Sequence, residues 1–219
     1  MVFSANLVNL GLPNTGADAV LSFPTTTGEV QAALRAIRVD GLRYEEYMVT
    51  EYFSDISGLA AALPQYADID ELNYLASRLA DLSPAGKSAF AAAVQHGEYA
   101  GSIRDLINLT YNLDCFTLIP GIQSYEDYGR YLVEHHRDFF LPPAARHYFN
   151  YEEYGETAII NEGGTLTPQG YIFDNQSPFQ TYYSGREVPS EFKVFQYPMQ
   201  ARAQSHPSAQ HGKQNTPTR

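Results

Sequence analysis

The chain has 219 residues and 44% hydrophobic residues, which is a folded composition with room for a sizeable core, not a disordered acidic tail. Residues 1–185 hold 23 acids against 9 Lys and Arg, a net of −14, while residues 186–219 reverse the sign to +3, giving −11 for the chain. A body this acidic repels phosphates, which argues against direct nucleic-acid binding and is compatible with a basic partner. No apolar run approaches the roughly 18 residues of a membrane span. The opening MVFSANLVNL lacks the basic region and cleavage site of a signal peptide. The single cysteine, Cys115, fits a reducing cytoplasm and reads as a small buried hydrophobe in a strand.

Val2–Asn9 reads as a strand followed by a turn-rich loop, and Ala19–Phe23 as a second strand stopped by Pro24. Thr26 and Glu29 form a capping box for a helix whose inner face is Val30, Ala33, Leu34 and Ile37. Glu46–Phe53 is a third strand. From Ile56 the pattern turns helical. Leu59–Leu63 is a short helix. Asp68 caps the next, with Glu71 three residues on and a stripe of Leu72, Leu75, Leu79 and Leu82. Ser83-Pro84 starts another helix as cap and first-turn proline, and Ser102 a fourth, facing inward through Ile103, Leu106, Ile107 and Thr110. Asp114–Ile119 returns to strand, Ser124–His135 is a helix with Tyr128, Tyr131 and Leu132 inward, and Ala144–Tyr148 and Tyr151–Ile159 are further helical segments. Thr165–Leu166 and Tyr171–Phe173 make a hairpin, Glu191–Tyr197 an edge strand, and the polar residues beyond Pro198 a disordered tail.

The organising stretch is Ser102–Glu134, where Ser102 with Asp105 and Ser124 with Asp127 each place a hydroxyl cap three residues before a carboxylate. Its surface is acidic and aromatic and carries no catalytic signature. Asp70–Leu82 (DELNYLASRLADL), Asp105–Asp114 (DLINLTYNLD), Tyr125–Tyr131 (YEDYGRY) and Tyr148–Gly155 (YFNYEEYG), in this order and spacing, resemble the ArdA antirestriction proteins. The resemblance runs from about Val2 to Tyr197. That family imitates DNA and blocks type I restriction–modification enzymes. The order of strands and helices reads as an α+β fold, and the resemblance implies an inhibitor that occupies the DNA cleft of the methyltransferase core. It also implies a homodimer joined through the C-terminal part and a mobile element or phage as carrier, and with the reducing compartment suggested by the lone Cys115 the expected location is the cytoplasm of a bacterial host. The expected architecture is elongated, with three small subdomains in series: α/β at 1–56, helical at 57–112, and α/β at 113–198, followed by the tail at 199–219.

The acids that would stand in for phosphates are Glu45, Glu46, Glu51, Asp55, Asp68, Asp70, Glu71, Asp105, Asp114, Glu126, Asp127, Glu134, Glu152, Glu153 and Glu156. Three YEEY or YEDY runs, at Tyr44–Tyr47, Tyr125–Tyr128 and Tyr151–Tyr154, concentrate six aromatic-flanked carboxylates: Glu45, Glu46, Glu126, Asp127, Glu152 and Glu153. The competing reading is a set of ordinary solvated faces. Duplex DNA carries one charge per about 1.7 Å of axis, so fourteen net charges match only about 24 Å of duplex. Spread evenly they are too sparse to resemble DNA. Mimicry needs them on one ridge of a long body or doubled by a dimer. No cofactor or metal is expected: His135, His136 and Asp138 are the closest cluster, but adjacent histidines on a helix diverge by about 100°. Other readings are an acidic module against a CRISPR effector or nucleoid protein, and a small hydrolase using Asp68, Asp70 and Glu71, whose carboxylates capping already explains.

Overall fold

A computed structural model describes residues 1–12, 16–135 and 141–198. The expected tail, and His136 and Asp138 of the histidine cluster, lie outside the described residues. The fold is α+β, with two small antiparallel sheets and seven α-helices among the described residues.

The first sheet has the order β2-β1-β3, formed by β1 (Phe3–Asn9), β2 (Asp18–Phe23) and β3 (Tyr47–Ser54). Alternation in β1 buries Phe3, Ala5 and Leu7 on one face, and the register sets Phe3 opposite Phe23 and Leu7 opposite Val49. Helix α1 (Thr27–Ala36) covers that face with Val30, Ala33 and Leu34. Its capping box is formed: Glu29 N–H donates to Thr26 Oγ1 at 3.4 Å, and Thr26 N–H donates to Glu29 Oε2 at 2.8 Å.

Four helices follow: α2 (Leu59–Ala62), α3 (Ile69–Asp81), α4 (Pro84–His96) and α5 (Ile103–Leu109). Each of the last three begins as its sequence dictates. Asp68, Ser83 and Ser102 accept from the first-turn N–H groups of Asp70, Gly86 and Asp105. The predicted faces are inward: Leu72, Leu75 and Leu79 of α3 and Ile103, Leu106, Ile107 and Thr110 of the α5 segment are buried, and Leu82 is half-buried.

A 3₁₀ turn at Leu113–Cys115 precedes β4 (Phe116–Ile119), so the expected strand over 114–119 starts late. Then come α6 (Tyr125–His135), a 3₁₀ segment at Pro143–Tyr148, α7 (Tyr151–Glu162), β5 (Thr165–Thr167) and β6 (Gly170–Asp174). The second sheet has the order β4-β6-β5. Helices α6 and α7 cross where Gly129 faces the Tyr151 carbonyl and Gly155 faces the Tyr125 carbonyl. A Cβ at either glycine would overlap the opposing backbone, so only glycine permits this approach.

Buried apolar side chains form two clusters. The larger joins the first sheet to α1–α5 and takes in Cys115, Phe116, Ile172, Tyr183 and Val188. The smaller joins α6 and α7 to the second sheet through Ile122, Tyr128, Leu132, Ile159 and Tyr171.

The expected edge strand at Glu191–Tyr197 is absent from the fold, and this is a correction. Ser190–Phe192 is a 3₁₀ turn, and the N–H groups of Val194 and Phe195 both donate to Asp70 Oδ1, at 2.7 and 2.6 Å. Consecutive N–H groups of a strand point to opposite sides, so two that converge on one carboxylate cannot belong to a ladder. The segment 175–198 instead runs back across α5 and α3 without strand partners among the described residues.

Candidate partner-binding surface

Eleven of the fifteen candidate acids are exposed. Glu45 and Glu46 precede β3, Glu51 lies on it and Asp55 follows it. Asp68 is the cap of α3, and Asp114 lies in the 3₁₀ turn. Glu126 and Glu134 are on α6, and Glu152, Glu153 and Glu156 on α7. The other four, Asp70, Glu71, Asp105 and Asp127, are half-buried, and each has a hydrogen-bond duty inside the fold.

Those duties are specific. Asp70 takes the two N–H groups already described. Glu71 accepts from the Tyr183 hydroxyl at 2.8 Å, and burial pushes its carboxyl above the ordinary value. Asp105 accepts from the Ser102 hydroxyl at 2.6 Å and pairs with Arg104 at 3.2 Å. Asp127 accepts from Gln123 N–H, while its own N–H donates to Ser124 Oγ. Hydrogen bonds, the one with Ser124 foremost and that from Gln123 next, hold its carboxyl below the usual range.

The fold gathers some of these acids and separates others. Glu45, Glu46 and Asp68 line one shallow groove with Tyr47 and Tyr66. Asp68, Asp70, Glu71 and Glu187 line its neighbour together with Arg186 and Lys193, and Lys193 pairs with Glu187 at 3.1 Å. Asp68 therefore stands in both, and Glu45 and Glu46, at least 22 positions before it in sequence, join it in one acidic patch. A second patch lies along α6 and α7, where Glu126, Glu134 and Glu152 share a groove with Arg130, Arg146 and His147. Arg130 bonds Glu126 at 2.6 Å and lies 4.4 Å over the Tyr151 ring, so this patch is partly self-neutralised. No described groove brings Glu51, Asp55 or Asp114 into either patch.

Four ion pairs occur among the described residues, and they engage two of the fifteen candidates, Asp105 and Glu126. The remaining thirteen have no described cation within ion-pair distance. Among the described residues no cluster of three metal-ligating side chains occurs, and no helix is long and apolar enough to cross a membrane. His96 is occupied by Thr165 Oγ1 at 2.9 Å.

Tyrosines support the surface from below. The Tyr128 and Tyr171 hydroxyls both donate to Glu162 Oε2, at 2.6 and 2.7 Å, and burial drives both phenols well above their ordinary value, so they remain donors. Sequence reasoning missed three buried amides that organise this side of the molecule: Asn73, Asn108 and Asn112. The available signal was Asn108 and Asn112 at i and i+4 among inward-facing apolar residues, where an amide is costly unless it is bonded. Asn108 also fits a glycosylation sequon, and its burial leaves no access to it.

The family model described as Antirestriction protein (ArdA) matches residues 10–173. No curated protein matches the chain.

Proposed function

The chain belongs to the ArdA antirestriction family, whose members act on restriction–modification enzymes, and from that premise we propose that it blocks a type I enzyme by occupying the DNA-binding cleft of its methyltransferase core. The observation that carries this reading is the ten exposed candidate carboxylates without a described cationic partner, the eleven exposed acids less Glu126. Unpaired surface acids keep their field for a partner, and a basic cleft would receive them as it receives phosphates.

The inhibitor works by competition and turns nothing over. Affinity comes from many dispersed charge pairs on a scaffold that loses little entropy on docking. The charge count requires concentration: two patches, one around Asp68 and one along α6–α7, serve where a uniform coat would not. A homodimer joined through the C-terminal part doubles the length of the acidic surface, and the serial three-part arrangement supplies the elongation that mimicry needs. We place its action in the bacterial cytoplasm, on a chain carried by a mobile element.

The test is a graded neutralisation series, beginning with Glu45→Gln, Glu126→Gln and Glu152→Gln and combining them. Displacement of labelled duplex from a type I methyltransferase is read at two salt concentrations. Single changes should each weaken binding by on the order of 0.2–1 kcal/mol, and combinations should sum. Salt-independent binding, or inhibition without displacement of DNA, refutes the mechanism.

A further inference from the structure

The segment 175–198 leaves the second sheet after β6 and ends beside the first. It begins with Asn175 N–H donating to the Cys115 carbonyl at 2.9 Å, and the Phe179 ring stacks on Tyr99 with centroids 3.8 Å apart. At the other end the Tyr197 hydroxyl donates to the Glu45 carbonyl at 3.1 Å, and Gln31 Nε2 donates to the Tyr197 carbonyl at 3.2 Å. Between these ends it has no ladder. Side chains of α5 and α3 take the place of a neighbouring strand.

Asn112 accepts the Gln180 N–H at 2.8 Å and donates to its carbonyl at 2.9 Å, as the backbone of a paired strand would. Asn108 Oδ1 accepts from Tyr182 and Tyr183, both at 2.8 Å, and Nδ2 donates to the Tyr183 carbonyl at 2.8 Å. Asn73 reaches both ways: Nδ2 donates to the Phe192 carbonyl at 2.9 Å, and Oδ1 accepts the Thr25 N–H at 2.8 Å. Asp70 closes the series on Val194 and Phe195, and Glu71 holds Tyr183. All three amides are buried, so an unmade bond would leave a polar group without water. The whole segment lies beyond the residues 10–173 that the family model matches.

We propose that residues 175–198 are a tie that fixes the distance between the N-terminal acids and the α6–α7 acids, and that Asp70 and Glu71 serve inhibition as positioning residues holding this tie, not as stand-ins for phosphate. The proposal rests on the DNA-mimic reading and divides its acids into two kinds. An acid facing the partner acts through its charge. An acid holding the tie acts through its lone pairs, and an amide oxygen in the same place would serve.

The distinction is open to experiment in the full chain. Asp70→Asn keeps an oxygen for the two N–H groups and removes the charge, whereas Asp70→Ala removes both. Spin labels at Ala32→Cys on α1 and Thr157→Cys on α7, both exposed positions, report the span, and buried Cys115 stays unlabelled. The expected result is that Asp70→Asn and Glu71→Gln displace DNA within about twofold of the parent. Asp70→Ala should broaden the label distance and weaken inhibition by about tenfold, the equilibrium factor for roughly one lost charged hydrogen bond. If Asp70→Ala does not fold, Asn112→Ala releases the Gln180 end and should broaden the distance with α3 intact. Equal losses for Asp70→Asn and Asp70→Ala overturn the positioning role, and an unchanged distance in both Asp70→Ala and Asn112→Ala overturns the tie. Failure of the parent chain to displace DNA at low salt refutes the DNA-mimic reading instead, and the label distances then decide the tie alone.

Discussion

Replacing Gly129 by Ala tests whether the α6–α7 crossing is the rigid base of the second acidic patch. The new Cβ would lie 2.8 Å from the Tyr151 carbonyl carbon, and one at Gly155 would lie 2.7 Å from Gly129 N, both inside the distance real Cβ atoms keep. The obstacle is backbone on the facing helix, so no rotamer change relieves it and the helices must move apart. That separates Tyr128 and Leu132 from Ile159 in a cluster of five buried residues among the described ones. Overpacking a core typically costs 1–3 kcal/mol, and here the upper end applies, about 3 kcal/mol. Urea unfolding followed by far-ultraviolet dichroism reads the change as a lower midpoint at constant slope. Gly28→Ala is the control: its nearest neighbour is the Thr26 hydroxyl at 4.0 Å, in helix α1, where alanine is neutral to about 1 kcal/mol stabilising. A cost below about 0.5 kcal/mol for Gly129→Ala would refute the close crossing.

Leu106→Ala should destabilise by about 2–5 kcal/mol, and Leu132→Ala by the lower part of that range because its cluster is small and can collapse; chemical denaturation checks both. The Asp127 carboxyl titrates below its ordinary 3.8, so its support of α6 is complete above that pH and is lost as pH falls through the lower folded value; carbon-detected side-chain titration by NMR should place it there. Glu71 has the opposite sign: burial raises its folded value above 4.5, so the carboxylate opposes folding as pH rises through that value, and Glu71→Gln should leave stability at pH 7 unchanged or higher. Arg130→Gln should modestly strengthen displacement of DNA, because it frees Glu126 from its exposed pair; weaker displacement would show that Arg130 is needed to support the patch.

Local signals were legible where one residue decides one hydrogen bond. The Thr26–Glu29 box, the Ser83-Pro84 start and the hydroxyl caps at Ser102 and Ser124 could be read because a cap needs only neighbours within three residues. Helical faces were legible because the period fixes them, as at Leu72, Leu75 and Leu79. The stretch Glu191–Tyr197 was misread as a strand because its partners are far away in sequence: Asp70 and Val194 are separated by 124 positions, and nothing near Val194 announces a carboxylate. Residues such as Val194 and Phe195 fit a strand and a tethered extended chain equally well. The meeting of Glu45 and Glu46 with Asp68 was hidden for the same reason, since it depends on how β3 enters the sheet beside α3.

This difference between near and distant partners bears on how an acidic inhibitor can be rigid at all. Like charges repel, and a body with a net −14 over its first 185 residues is pushed toward expansion. Internal ion pairs could oppose that repulsion, but every pair made inside the protein removes a carboxylate from the surface offered to the partner. The fold resists expansion with neutral groups. Asn73, Asn108 and Asn112 hold the extended segment, Tyr128 and Tyr171 hold Glu162, and glycines let α6 and α7 meet. Such bonds are insensitive to salt, whereas the attraction between unpaired acids and a basic cleft is not. Raising salt should therefore weaken docking while the melting temperature holds or rises as self-repulsion is screened. Measuring both on the same samples separates the scaffold from the charge it carries, and a melting temperature that falls in step with affinity would show that ion pairs hold the fold after all.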